Sequence, residues 1–233
     1  MGEEKIWKKN IEALTAVNII GFILVMMAGW VNTVGACFFL NENSSFLTGR
    51  TAKLGKYILS GDILKVRDIL LIIISFIMGS CISTLITKKT GLTGGLVFTS
   101  ALIIITALTI LPATSVTGVN FANIAFITIP LCMGSQNAAT SLTAINRTTH
   151  LTGPATDIGI NMAKGKWDLV IFWVLRWVGF FIGTFTAFKL IRVFEIRELD
   201  SSYISYILLI PGIVIILTAI IQKVVVDIPL LEE

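Results

Sequence analysis

The charged residues of this chain gather into short clusters. Between the clusters run apolar stretches of about 20 residues, the length an α-helix needs to cross the hydrocarbon of a bilayer. No other feature restricts the fold so strongly, because a chain in hydrocarbon must satisfy its backbone polar groups internally. The composition agrees. The 233 residues are 55% hydrophobic and 14% charged, with a mean hydropathy of +0.89, where soluble domains run near 45–50% and about 25%. A soluble globular enzyme, a disordered chain and a disulfide scaffold are excluded. The reading is an all-α integral membrane protein, residues 1–233 forming a single transmembrane domain.

Six segments read as spans, roughly Leu14–Leu40, Ile69–Ile86, Leu92–Leu111, Phe121–Leu142, Leu169–Leu190 and Tyr203–Ile221. Spans one and four are expected to be interrupted helices. The first is too long for one straight crossing and carries Gly21, Gly29 and Gly35, and the fourth carries Pro130 and Gly134. Glycine and proline inside a span mark a break, a kink or a close backbone approach. With six spans both termini share one side. That side collects Lys5, Lys8, Lys9, Lys88, Lys89, Lys164, Lys166 and Lys223, so the positive-inside rule puts both termini in the cytoplasm.

The chain also repeats itself. Gly29-Trp-Val-Asn32-Thr33 resembles Gly134-Ser-Gln-Asn137-Ala138, and Leu47-Thr-Gly-Arg-Thr-Ala-Lys-Leu-Gly55 resembles Leu151-Thr-Gly-Pro-Ala-Thr-Asp-Ile-Gly159. The register continues through Gly61 and Gly165, Phe76 and Phe180, Gly79 and Gly183, each pair 104 residues apart. The repeats run from about 11 to 112 and from about 118 to 223. Each holds three spans, and an odd number of crossings turns the second copy over. The expectation is two inverted three-helix repeats with a solute site near the midplane between them.

Proline is favoured at the first helical position, so Pro154 places a helix start and, through the repeat, so does Arg50. Thr48-Gly49 and Thr152-Gly153 then precede two helix starts, whose free N–H groups and positive dipole ends can hold an anion or a carbonyl oxygen. A capped amphipathic helix at the surface is the plainer alternative. Asn32, Gln136 and Asn137 are the polar residues of the interrupted spans, fitted either to bind a solute or to join helices. Arg50 would supply charge. Among the acids, Asp157 is the candidate for proton coupling. Arg176, alone inside span five, is a functional candidate by position.

No catalytic, metal or cofactor set is present. The single histidine, His150, builds no metal site, and Cys37, Cys81 and Cys132 read as small packing residues. The net charge of +4 comes without a basic block interleaved with aromatics, so no nucleic-acid partner is expected. The expected partners are the lipid bilayer and a small-molecule solute. Glycine-bearing faces at Gly79 and Gly183 suit packing within one subunit or a homodimer.

The glycine, Asn32-Thr33, Gln136-Asn137-Ala138 and doubled Thr-Gly motifs, from about Gly29 to Gly183, resemble the YoaK-type family of bacterial inner-membrane proteins. The resemblance implies a compact six-span protein of the bacterial cytoplasmic membrane and small-molecule transport, with no substrate named. In that pattern Asp commonly stands at the position of Asn32 and Asn at that of Arg50. Losing an acid and gaining a base moves the site toward anions or removes a proton-coupling group. The expected function is therefore a secondary transporter or channel-like facilitator for a small polar or anionic solute. The alternative is a non-transporting accessory or immunity protein that packs against a partner.

Overall fold

A computed structural model describes residues 2–40, 45–110, 122–196 and 203–231, the side chains of residues 2–14, 110, 122–123, 196 and 203 excepted. The expected span ends at Leu111 and Phe121, the repeat boundary between 112 and 118, and the side chains of Lys5, Lys8 and Lys9 lie outside the described residues. The elements are all helical. They are α1 (Gly2–Gly35, continued by a π-helical turn, Ala36–Leu40), α2 (Leu47–Leu59), α3 (Ile63–Ile110), α4 (Ala122–Ser141), α5 (Thr152–Ala163), α6 (Trp167–Ile196) and α7 (Tyr203–Val225). An isolated bridge between Thr143 and Leu230 ties the chain after α7 to the loop after α4.

Four stretches are long and apolar enough to cross a membrane: Thr15–Leu40, Ile63–Thr109, Trp167–Glu195 and Ile204–Val225. The second is folded double. Gly91 takes φ 74° and ψ −176°, a left-handed backbone that only glycine adopts readily. Beyond it the chain returns, so that a β-carbon on Gly95 would lie 3.4 Å from Ser83 Oγ, where a straight helix would hold the two residues about 18 Å apart. The 48-residue α3 is thus two limbs that meet at Gly91. The second half of α4 is too polar to join the four, since it carries Ser135, Gln136, Asn137, Thr140 and Ser141.

Of the expected interruptions, span one shows none at Gly21 or Gly29 but passes from α-helix to a π-helical turn after Gly35, and span four runs unbroken through Pro130 and Gly134. These glycines serve close approach instead. A β-carbon on Gly29 would overlap the Phe180 carbonyl of α6, and one on Gly134 would overlap the Phe76 carbonyl of α3. Small residues let helix backbones touch where lipid supplies no hydrophobic drive for association.

These contacts come in pairs with the halves exchanged. Gly183 meets Met26 as Gly79 meets Leu131. Ser80 Oγ donates to Gly134 O at 3.1 Å and Thr184 Oγ1 to Gly29 O at 3.4 Å. Ser100 Oγ donates to Gly212 O, and Ser205 Oγ donates to Ala107 O. The helix ends match as well. Gly61 (φ 71°) closes α2 with Asp62 N–H on Tyr57 O at 3.0 Å, and Gly165 (φ 65°) closes α5 with Lys166 N–H on Asn161 O at 2.9 Å. Both are the glycine-terminated ending that satisfies the last free carbonyls.

Polarity is distributed as lipid requires. Ser83, Thr99 and Ser135 are fully buried and bonded together, Ser83 Oγ to Ser135 O at 2.9 Å and Thr99 Oγ1 to Ser135 Oγ at 2.7 Å. Phe181, Phe185 and Phe188 on α6 and Leu217, Ile220 and Ile221 on α7 face outward. The core runs through Leu24 and Val31 of α1, Leu92 and Leu96 of α3, Ile129 and Met133 of α4, and Ile207 and Ile215 of α7.

Candidate functional site

Helices α2 and α5 begin without a side-chain cap, the residues before them being Phe46 and Leu151. The Thr-Gly pairs lie in the first turn of each helix rather than before it, and Pro154 is the third residue of α5. Proline is tolerated there because a first-turn N–H has no intrahelical partner to lose. Gly49 is held small by its neighbour, since a β-carbon would run into the Phe46 ring. The two starts meet. Thr48, Thr152 and Gly153 line one cavity of about 330 Å³ together with Asn137, Arg147 and His150.

The expected site residues divide into three sets. Thr48, Thr152, Gly153 and Asn137 line the cavity, with Gly49 adjoining in the first turn of α2. Asn137 Oδ1 is buried and accepts no hydrogen bond among the described residues, an arrangement that costs about 1–3 kcal/mol unless a partner arrives. Asn32 and Gln136 stand behind this surface as supports. Asn32 Oδ1 accepts from Ser45 N–H and Ser45 Oγ, both at 3.3 Å, and Ser45 lines the cavity. Gln136 Nε2 donates to Leu24 O of α1 at 2.7 Å and to Thr148 Oγ1 at 3.2 Å. Arg50 and Asp157 are placed elsewhere. Arg50 is buried on the far side of α2, against a separate cavity of about 210 Å³ lined by Leu40, Tyr57, Lys65 and Asp68. Asp157 is half-buried on α5, outside the lining of the Thr-Gly cavity.

The charge in the cavity comes from residues outside the expected set. Arg147 is exposed at its edge. His150 is largely covered, with Nδ1 3.0 Å from Thr149 Oγ1 and its ring edge-on to Phe76 at 5.3 Å between centroids. Burial pulls the His150 imidazole below the ordinary histidine range, and the Arg147 guanidinium pushes the same way. No carboxylate is among the lining residues. A signal for both was present in the repeat. His150 stands where the first half has Phe46, and Arg147 where it has Asn43, so these positions depart from the internal symmetry. The arrangement can take negative charge, because the Arg147 guanidinium and two helix starts converge on it.

Arg176 is fully buried and separate from this cavity. Its guanidinium donates to Asn18 O at 3.3 Å and Ile145 O at 3.5 Å, and lies 4.2 Å from the Phe172 ring centroid. Its Nε and the Asn18 Oδ1 are both buried and unpartnered among the described residues. Among those residues no group of three or more His, Cys, Asp or Glu could hold a metal ion.

No curated protein and no solved structure matches the chain. Over residues 20–222 the sequence matches the family model described as "Protein of unknown function (DUF1275)", a match that carries no YoaK-type label, and the chain belongs to that family.

Proposed function

We propose that this protein is a secondary transporter or channel-like facilitator for a small polar or anionic solute, bound between two inverted three-span repeats. The spans are α1, the two limbs of α3, α4, α6 and α7, in a bacterial cytoplasmic membrane with both termini on the cytoplasmic side. The paired contacts with exchanged halves support the repeat, and the odd number of crossings per half supports its inversion. In this reading α2 and α5 are half-helices that start at the solute and lead toward opposite faces of the membrane.

The observation that carries the proposal is the meeting of the two Thr-Gly helix starts in one cavity with Asn137, Arg147 and His150. Its volume of about 330 Å³ is at the small end of ligand pockets, which run from about 300 to 1,000 Å³. That size suits a small organic solute.

Flux into liposomes tests this directly. Purified protein should accelerate uptake of at least one member of a panel of small labelled anions and neutral polar solutes, with small cations excluded. Thr48→Trp should fill the cavity from an exposed position and abolish uptake while the elution volume stays that of wild type. Flux at the level of empty liposomes for every solute, or full flux in Thr48→Trp, would sink the idea.

A further inference from the structure

We propose that the solute enters the Thr-Gly cavity as a small anion together with one proton, and that His150 is the residue that takes the proton. The inference rests on the reading of the cavity as a solute site and assigns the coupling group that this reading leaves open.

The cavity is a symmetric cradle with an asymmetric charge. Thr48 and Thr152 are repeat equivalents, one from each half. His150 replaces the Phe46 of the first half, and both line the same space. One half therefore offers an inert ring where the other offers an imidazole. The exchange gives one half of the cradle a hydrogen-bonding ring that can hold a proton.

The surroundings of His150 decide when that proton is held. From its own loop it faces Arg147, a fixed positive charge. The lining residues from Ser45–Thr48, and Phe76 of α3, Asn137 of α4 and Thr152–Gly153 of α5, include no titratable side chain. Asp157, the nearest acid along α5, lies outside the lining. Within this lining no carboxylate offsets the charge of an imidazolium, and Arg147 opposes it. Burial acts in the same direction, so the ring in the empty site is held neutral at neutral pH. An anion beside Arg147 and His150 reverses the balance. It screens the guanidinium and supplies the opposite charge that the imidazolium lacks.

The proton balance follows. The imidazole gains one proton from solvent as the anion binds and returns it when the anion leaves, so anion and proton travel as a neutral pair. Nδ1 already shares a hydrogen bond with Thr149 Oγ1 at 3.0 Å, which fixes the ring while its protonation changes. Linkage is reciprocal: if the anion raises the histidine pKa, the proton raises anion affinity by the same factor. Affinity then improves about tenfold per unit of falling pH between the pKa of the empty and loaded site, and levels off outside that window.

The test is calorimetric titration of the full-length protein in detergent with lactate, acetate and nitrate. Titrations run from pH 5.5 to 8.5 in buffers of different ionisation enthalpy. The wild type should take up close to one proton per anion within the window, a count that needs no variant. In His150→Phe, which restores the residue of the first half, and in His150→Gln, binding should fall below wild type at the acid end of the window, and what remains should show a flat pH profile and no proton uptake. Anion binding without proton uptake in the wild type would overturn the proposal, as would a pH dependence that survives in both variants. If none of these anions binds the wild type at any pH, the anion–proton proposal is refuted, while the flux panel with neutral solutes decides the solute site separately. That outcome is distinct from binding without a proton.

Discussion

Gly183→Ala measures how closely α6 crosses α1. A β-carbon at Gly183 would overlap the Met26 carbonyl oxygen and stand 2.7 Å from its carbon and 3.1 Å from its Cα. Ordinary carbon contacts fall at about 3.5–4.0 Å, so the helices must part by roughly 1 Å or the crossing must tilt. The obstacle is backbone, which cannot swing aside as a flexible side chain can. Overpacking of this kind costs about 1–3 kcal/mol, while alanine returns up to about 1 kcal/mol in helix propensity. The net loss should be about 1–2 kcal/mol, or a fall of roughly 2–8 °C in apparent melting temperature for a chain of this size. The assay is thermal unfolding of detergent-purified protein at fixed scan rate, with Gly159→Ala as the control. Gly159 has nothing within 4 Å of its β-carbon position, so its substitution should leave the transition unchanged or slightly raised. Gly79→Ala should behave like Gly183→Ala, because its β-carbon would meet Leu131 in the corresponding way. Equal shifts for Gly183→Ala and Gly159→Ala would refute the close crossing. A large difference between Gly79→Ala and Gly183→Ala would refute the exchanged pairing of the halves.

Arg176→Met should be folded and at least as stable as wild type, since it removes a buried charge that has no carboxylate among its bonded partners. Arg176→Ala should lose about 2–5 kcal/mol through the void it leaves, and equal losses in the two would contradict this account. Gln136→Leu removes the amide bonds to Leu24 O and to Thr148 Oγ1, which keeps Thr140 as a partner, and should cost about 0.5–1.5 kcal/mol per bond in unfolding while sparing the cavity lining; an unchanged transition would show that the amide does not join α4 to α1. With the exposed Cys37 and Cys81 replaced by serine and the buried Cys132 retained, Thr152→Cys should react with a water-soluble thiol reagent. Failure of that cysteine to react in the folded protein would argue against a wet cavity.

Much of the helical layout was legible in the sequence. Apolar runs of membrane length located α1, both limbs of α3, α6 and α7, because in hydrocarbon a chain has almost no alternative to the helix. Two helix ends were legible for a local reason: Gly61 and Gly165 both take the left-handed conformation that ends α2 and α5, which glycine adopts most readily. The purpose of Gly29 and Gly134 was not legible. Glycine permits a break and a close approach equally, and only the position of α6 and α3 against α1 and α4 decides between them.

The site divides along the same line. The sequence by itself determined that each Thr-Gly segment lies at a helix start, because that information is local to the segment. It did not determine which charges face them. Arg50 sits beside the first Thr-Gly pair and yet is buried on the other side of α2, whereas Arg147 and His150, in the loop after α4, reach the cavity. One helical turn distributes neighbouring residues around a full circle, so adjacency in sequence fixes height along the axis and leaves direction to packing. Only the tertiary structure, by setting α2 and α5 start to start and laying the 142–151 loop beside them, decided that the cavity carries a histidine and an arginine and no acid among its lining residues.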